Sequence, residues 1–457
     1  MALRIHLYKV QQMLVVALCS SLLFVNCKKS FRNDPDNVND SGTTLKTNAS
    51  AAHLSAGVIT AWYKLQIRMM LTANPATNNA LNAQAYTYFG IGVYESVRSG
   101  IKNSVSLSQL LYAMPEMPAK DNNGYDLQVS ANAVLASLTR SFFTWLTAAN
   151  KASVDSLENA INEQLSLGAE SAKFNRSQAY GRAVADAIFN WSKTDNWNVG
   201  NAGYVPPTSP AGVWIPTPPA FASIPVLPFI SNARPLMIEH ASGITPPLPF
   251  PYSETPGSDF YKMVRDVYDL SKVLTHEDSV MALYWNDVGV GVGYTPSGHV
   301  FNEVTQAVDQ NNIDLGTAAQ AYAKAGIASH DAFLVLFRSK YVYNLIRPVS
   351  YIRKLWEPAW LPVIPTPPHP EYPSAHAFIT SATMRAALSV LGNISIIDHT
   401  YDFLGYKPRP FANLDSAGSE AGNSRRFAGI HYIPSIVTGL TEGRKLGDDV
   451  ANIKMAE

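Results

Sequence analysis

Fourteen of the thirty prolines lie between residues 201 and 256, with Pro206-Pro207, Pro218-Pro219 and Pro246-Pro247 as pairs. Proline removes a backbone donor and fixes φ, so neither a regular helix nor a central strand survives that density. On either side the pattern changes. Val58, Trp62, Leu65 and Met69 recur three and four apart, as do Tyr86, Phe89 and Val93, and then Leu135, Leu138, Phe142 and Leu146. Apolar residues at that spacing line one face of a helix. The spacing predicts helices over 54–73, 78–100, 126–149, 152–166 and 170–193. It resumes over 258–272, 276–286, 301–313, 315–347, 375–391 and 435–452, with a second proline cluster from Pro358 to Pro373. Strand-like alternation is scarce. The expected fold is all-α: an N-terminal bundle over 53–200, a C-terminal bundle over 257–457, and 201–256 as an irregular crossing segment. So long a loop is expected to run over the surface and border a site.

Composition narrows the function. Lys and Arg total 35 and so do Asp and Glu, which argues against nucleic acid as a bulk partner. The 457 residues are 47% hydrophobic and only 15% charged, so the chain is neither disordered nor a charge-laced coiled coil. The only cysteines are Cys19 and Cys27, which excludes a disulfide scaffold and a cysteine metal site in the remainder.

Residues 1–27 read as an address. Arg4, His6 and Lys9 precede the apolar run Met13–Val25, which is short for a membrane span and suits a signal-peptide core. The run ends at Asn26-Cys27-Lys28-Lys29 and resembles a bacterial lipoprotein signal, although a residue smaller than Asn26 is usual before the cysteine. That resemblance implies lipidation at Cys27 and a chain anchored in the cell envelope, outside the cytoplasm, by lipid alone. Residues 28–52 are polar and read as a flexible tether.

Three short segments carry the chemistry. Lys340 and Arg347 are seven apart, so on one continuous helix both cations would point the same way, with Pro348 as the stop. Ser374-Ala375-His376 opens an apolar helical run. Ser374 is a good N-cap, and the first amides of a helix offer an oxyanion site with His376 beside it. In Ser424-Arg425 and His431-Tyr432, a planar guanidinium precedes an imidazole able to attack phosphorus or hold a metal-oxide centre. Each alone is ordinary.

In this order, Lys-x6-Arg-Pro, Pro-Ser-x-His and Ser-Arg-x5-His resemble the superfamily of type 2 phosphatidic acid phosphatases and vanadium-dependent haloperoxidases. Ser329-His330-Asp331-Ala332-Phe333 and Trp285-Asn286-Asp287 are similar to its soluble haloperoxidase-like branch, and the likeness covers roughly 280–445. The resemblance implies one tetrahedral oxyanion, phosphate or vanadate, held by all three motifs. Lys340, Arg347 and Arg425 would neutralise it, and Ser374 and the Ala375 amide would donate to it. His431 would be the nucleophile or vanadium ligand, and His376 the acid/base. Ala375 stands where the family has glycine, and Ser435 where it usually has an aspartate behind the histidine. Asp331, Asp415 and Glu420 are the candidate replacements. Pro296-Ser297-Gly298-His299 matches the second motif in the wrong order and is read as a capping turn. His53, His240, His276, His330, His369 and His399 lack metal-ligand spacing and read as structural.

Three functions are implied: a haloperoxidase using vanadate, peroxide and halide; an acid phosphatase that needs no cofactor and passes a phosphomonoester through phosphohistidine; or a non-catalytic phosphate-binding lipoprotein.

Overall fold

The computed structural model describes residues 50–71, 79–120, 123–198, 200–242, 246–248, 250–287 and 293–456. The signal segment with Cys27, and the tether up to residue 49, lie outside the described residues. The fold is helical, as expected. The first bundle comprises α1 (Gly57–Leu71), α2 (Asn79–Val97), α3 (Leu127–Phe142), α4 (Ala148–Ser166) and α5 (Ser171–Ser192). The second comprises α6 (Asp259–Leu270), α7 (His276–Tyr284), α8 (Pro296–Gln310), α9 (Leu315–Tyr343), α10 (Pro348–Leu355) and α11 (Ala375–Leu391), then α12 (Leu414–Phe427) and α13 (Ile433–Ala451). Between α11 and α12, β1 (Ile396–Asp398) and β2 (Arg409–Phe411) form a short antiparallel pair that pairs Asp398 with Arg409. Among the described residues no helix is long and apolar enough to cross a membrane.

α9 joins the two bundles. Asp314 caps it, accepting the Thr317 amide at 2.9 Å, and its alanine-rich length packs against α2 on one side and α11 on the other. At 1.5 Å per residue its 29 residues span roughly 44 Å. One apolar cluster runs from Ala51 to Met455 through both bundles. α11 lies between α9 and α13. Close approach of α13 depends on Gly439, Gly443 and Gly447, spaced four apart and facing Ala377, Phe378 and Ala382.

Three expectations are corrected. The helix expected over 315–347 stops at Tyr343, because Asn344 adopts the left-handed conformation at φ 47°. Pro348 does not end that helix; it starts α10, with Arg347 as the N-cap residue. Lys340 and Arg347 therefore sit on different elements, and the two-turn argument does not bring them together. The helix expected from 301 begins at Pro296, where Thr295 caps it by accepting the Gly298 amide at 3.1 Å. α10, α12 and the β pair were not anticipated, since short, polar or proline-initiated segments carry little periodicity.

Among its described residues the segment 201–256 holds only the short 3-10 turns Ile230–Asn232 and Ile238–Ala241. It is fastened at several points between Gly212 and Met237. The Arg234 amide donates to the Asp195 carbonyl at 2.7 Å, and the Leu236 and Met237 amides donate to Asp331. The Trp214 amide donates to the Asn344 carbonyl, the Ile346 amide to the Gly212 carbonyl, and the Val226 amide to the Pro368 carbonyl. Those last partners belong to the segments that build the site below.

A Cβ at Gly439 would lie 2.7 Å from the Ala377 Cβ and 2.9 Å from the Ser374 carbonyl oxygen. Gly439→Ala should therefore force α13 off α11 and lower the urea unfolding free energy by about 1–3 kcal/mol. An unchanged midpoint would contradict this packing.

Candidate active site

The proline-rich segment 358–373 runs between α10 and α11 and presents backbone carbonyls inward. Lys340, at the end of α9, is fully buried. Its ammonium donates to the carbonyls of Pro370, Glu371 and Pro373 at 2.9, 2.9 and 2.6 Å. All three donors are thus engaged, and Lys340 acts on the site through its charge and by holding this loop. Arg347 is equally buried. Its Nε donates to the His369 carbonyl at 2.8 Å, Nη1 to the Ile430 carbonyl at 3.0 Å, and Nη2 to His369 Nδ1 at 3.0 Å. Nη1 also lies 3.2 Å from His431 Nε2. A guanidinium can only donate, so His431 Nε2 carries the lone pair and its proton is on Nδ1.

That proton meets Glu371. His431 Nδ1 is 2.7 Å from Glu371 Oε1, which also accepts the Tyr432 amide at 3.0 Å. The carboxylate behind His431 is therefore Glu371, three residues before Ser374. None of the three acids expected there is present. Asp331 holds His240 and the 236–237 backbone, Asp415 pairs with Arg444, and Glu420 with Arg409. Ser435 lies close enough to Glu371 to lower its pKa, and its carbonyl accepts the Ser374 amide.

Ser374 occupies the N-cap position of α11, but its hydroxyl makes no capping bond. Its Oγ is buried without a partner among the described residues, which corrects the expected capping role. Arg425, at the end of α12, donates from Nη1 to the Trp285 carbonyl at 2.6 Å, while its Nε is buried with no partner among the described residues. His376 Nε2 lies 3.2 Å from Asp287 Oδ2. The other Asp287 oxygen takes the Tyr401 hydroxyl at 2.6 Å and His299 Nδ1 at 2.8 Å. His299 lies in the first turn of α8, behind the Thr295 cap, and it also stands behind the acid/base candidate. Ala375 supplies the first amide of α11, which has no acceptor within the helix.

Burial sets the charges. It depresses the Lys340 ammonium, with Arg347 adding to the effect, and brings Arg347 and Arg425 down to about 10. It drives Glu371 up to about 7, against the pull of Arg347 and Lys340. His431 is held well below the ordinary imidazole range by burial and then by Arg347, Lys340 and Arg425. His376 falls to about 4 through burial and Arg425, although Asp287 opposes this. Both histidines are therefore neutral at neutral pH. Beside the three buried cations, two donors, Ser374 Oγ and Arg425 Nε, lack partners among the described residues, and these are the contacts a tetrahedral anion would satisfy.

From sequence Glu371 goes unnamed, and Asp287 has no role beyond its place in Trp285-Asn286-Asp287. Glu371 and Asp287 act across 60 and 89 residues respectively, where periodicity gives no signal. His369, read as structural, sits buried against Arg347 and 5.5 Å from the Phe337 ring. His330 is structural: it bonds the Arg234 carbonyl and packs 4.3 Å from Trp197.

A family model described as the VCPO second helical-bundle domain matches residues 320–456. The fold superposes on "the first bacterial vanadium dependant iodoperoxidase" with a TM-score of 0.78 and 28% identity, covering 88% of this chain and 98% of that one. Over most of its length the chain is thus similar to a vanadium-dependent haloperoxidase. The holo and apo forms of a bacterial vanadium-dependent chloroperoxidase share the fold at a TM-score of 0.60 and 16% identity, over 82% and 81% of this chain and 91% and 92% of those. No curated protein gives a significant match. All the motif residues that carried the family resemblance, Lys340, Arg347, Ser374, Ala375, His376, Arg425 and His431, lie where helix ends of the second bundle meet.

Anion binding requires the charge of Arg347 and Arg425, which a guanidinium keeps across the working pH range. Saturating phosphate should therefore raise the thermal midpoint at pH 7, and Arg425→Ala should abolish most of that rise. Calorimetry on both proteins checks it, and an equal phosphate shift in folded Arg425→Ala would contradict the assignment.

Proposed function

We propose that this chain is a vanadium-dependent haloperoxidase in which vanadate is held by Arg347, Ser374, Ala375, Arg425 and His431, with the buried Lys340 contributing charge. The observation that carries the reading is the state of His431: a neutral imidazole, anchored through Nδ1 by Glu371, with its Nε2 lone pair turned toward buried cations. The donor set fits the group. Three cations balance an oxyanion, and Ser374 Oγ and Arg425 Nε have no partner among the described residues. When bound, vanadate supplies Lewis-acid activation of hydrogen peroxide toward a halide.

The chain's own residues do the rest. Lys340 and Arg347 keep the floor of the site positive and fasten the 367–373 loop. His431 Nε2, now facing Arg347, would hold the metal centre, and Glu371 fixes the tautomer that leaves this nitrogen a lone pair. His376 takes and returns a proton at the substrate peroxide through Nδ1, since Asp287 occupies Nε2. Bound negative charge offsets the Arg425 repulsion and raises His376 from about 4 toward a useful range. The likeness to an iodoperoxidase makes iodide the first halide to try.

Purified chain loaded with orthovanadate should oxidise iodide with peroxide, read as triiodide absorbance. Arg425→Ala should lower kcat/KM about 10²–10³-fold. Glu371→Leu should weaken vanadium binding about 10–100-fold. Stoichiometric vanadium without turnover of iodide or bromide would reject the reading, and phosphomonoester hydrolysis dependent on His431 would replace it with the phosphatase.

The address at the N-terminus supports a second proposal: Cys27 is lipidated and tethers the enzyme in the cell envelope, outside the cytoplasm. Labelled palmitate should enter the full chain and be lost in Cys27→Ala. Equal labelling of both would remove the anchor.

A further inference from the structure

Behind His376 lies a second cluster that the oxyanion site does not use. His299 and Glu303 are four apart on α8 and so share one face. Asp398, at the end of β1, approaches from the opposite direction. All three are fully buried, and one ligand atom from each lies within 4.8 Å of the others. His299 Nε2 and Asp398 Oδ2 are 3.1 Å apart. Both Glu303 carboxylate oxygens are buried without a hydrogen-bond partner among the described residues. An orphaned carboxylate in a helical core is costly unless something neutralises it.

The geometry points to a divalent transition-metal site formed by His299, Glu303 and Asp398. Two ligand atoms 3.1 Å apart, each about 2.05 Å from a metal, subtend an angle of about 98°, within the range of four- to six-coordinate centres. Two carboxylates match the charge of a divalent ion. One imidazole with two carboxylates suits Zn²⁺ or Mn²⁺ better than Ca²⁺, which takes an all-oxygen shell.

The surroundings are those of a built ligand set. His299 Nδ1 donates to Asp287 Oδ1 at 2.8 Å and Nε2 faces Asp398 Oδ2 at 3.1 Å, so the ring is an imidazolium between two carboxylates, and a metal would take the place of the Nε2 proton. The Trp285 ring stacks on the imidazole at 4.3 Å with an interplanar angle of 17°, fixing its plane. Asp398 Oδ2 accepts the Tyr284 hydroxyl at 2.7 Å, and its Oδ1 accepts Gln306 Nε2 and the Thr400 amide, each at 2.9 Å. The ion would stand behind Asp287, which reaches His376, so it would support the oxyanion site from the back without touching substrate.

The full chain, stripped with a chelator and then exposed to Zn²⁺ or Mn²⁺, should retain about one ion per chain after gel filtration, by elemental mass spectrometry. Retention should fall at least about tenfold in the near-isosteric Glu303→Gln and in Asp398→Asn, and persist in Arg425→Ala. Co²⁺ substitution of the wild type should give a visible absorption band, which decides the matter if a variant does not fold. Vanadium content is measured on the same samples, so loss of one site is distinguishable from loss of the other. Less than about a tenth of an ion per chain with no Co²⁺ band, or equal retention in a folded Glu303→Gln, would overturn the proposal.

Discussion

Burial of three cations at one point is the constraint on which the rest of this structure depends. Lys340, Arg347 and Arg425 are cut off from water, and their lowered pKa values record the cost. Carbonyl oxygens partly replace the lost water: Pro367, His369, Pro370, Glu371, Pro373, Ile430 and Trp285 all turn theirs inward. Helix interiors could not supply these, because their carbonyls are committed to the helix ladder. The site therefore needs irregular backbone, and proline is what keeps backbone irregular here. The proline clusters and the charge cluster are one design seen from two sides.

Two carboxylates complete it, each behind a histidine. Glu371 sets the tautomer of His431, and Asp287 engages one nitrogen of His376. Their electrostatic situations differ. Glu371 lies under Lys340 and Arg347 yet is pushed up to about 7 by burial, whereas the imidazoles of His299 and His376 overcome burial to keep Asp287 ionised. The usual aspartate one turn after His431 is thus replaced from a different segment, and Ser435 takes the lesser position beside the replacement.

Much of this was legible beforehand. Apolar spacing located the long helices because each buries one face. Pro-Ser-Ala-His and Ser-Arg…His marked two edges of the site because they sit at helix ends, where local sequence dictates capping and free amides. What was not legible depended on chain reversal. Lys340 and Arg347 looked like neighbours on one helix; they meet because Asn344 breaks it and Arg347 begins the next. Glu371 was invisible as the partner of His431 since nothing local distinguishes a buried acid from a solvated one. The out-of-order Ser-Gly-His forms the first turn of α8 behind its Thr295 cap, and its histidine lies in a buried relay that only the docking of β1 on α8 creates.

The order of synthesis gives the position of Arg425 and His431 a further meaning. Both lie in the last tenth of the chain, after every other member of the site has emerged. Until α12 and α13 dock, Lys340 and Arg347 belong to an unfinished wall with no oxyanion to face. The proposed oxyanion could bind only the completed chain, so it would add its binding energy to the last folding step and to none before it. Truncation or slow docking at the C-terminus would cost the site before it cost the helices.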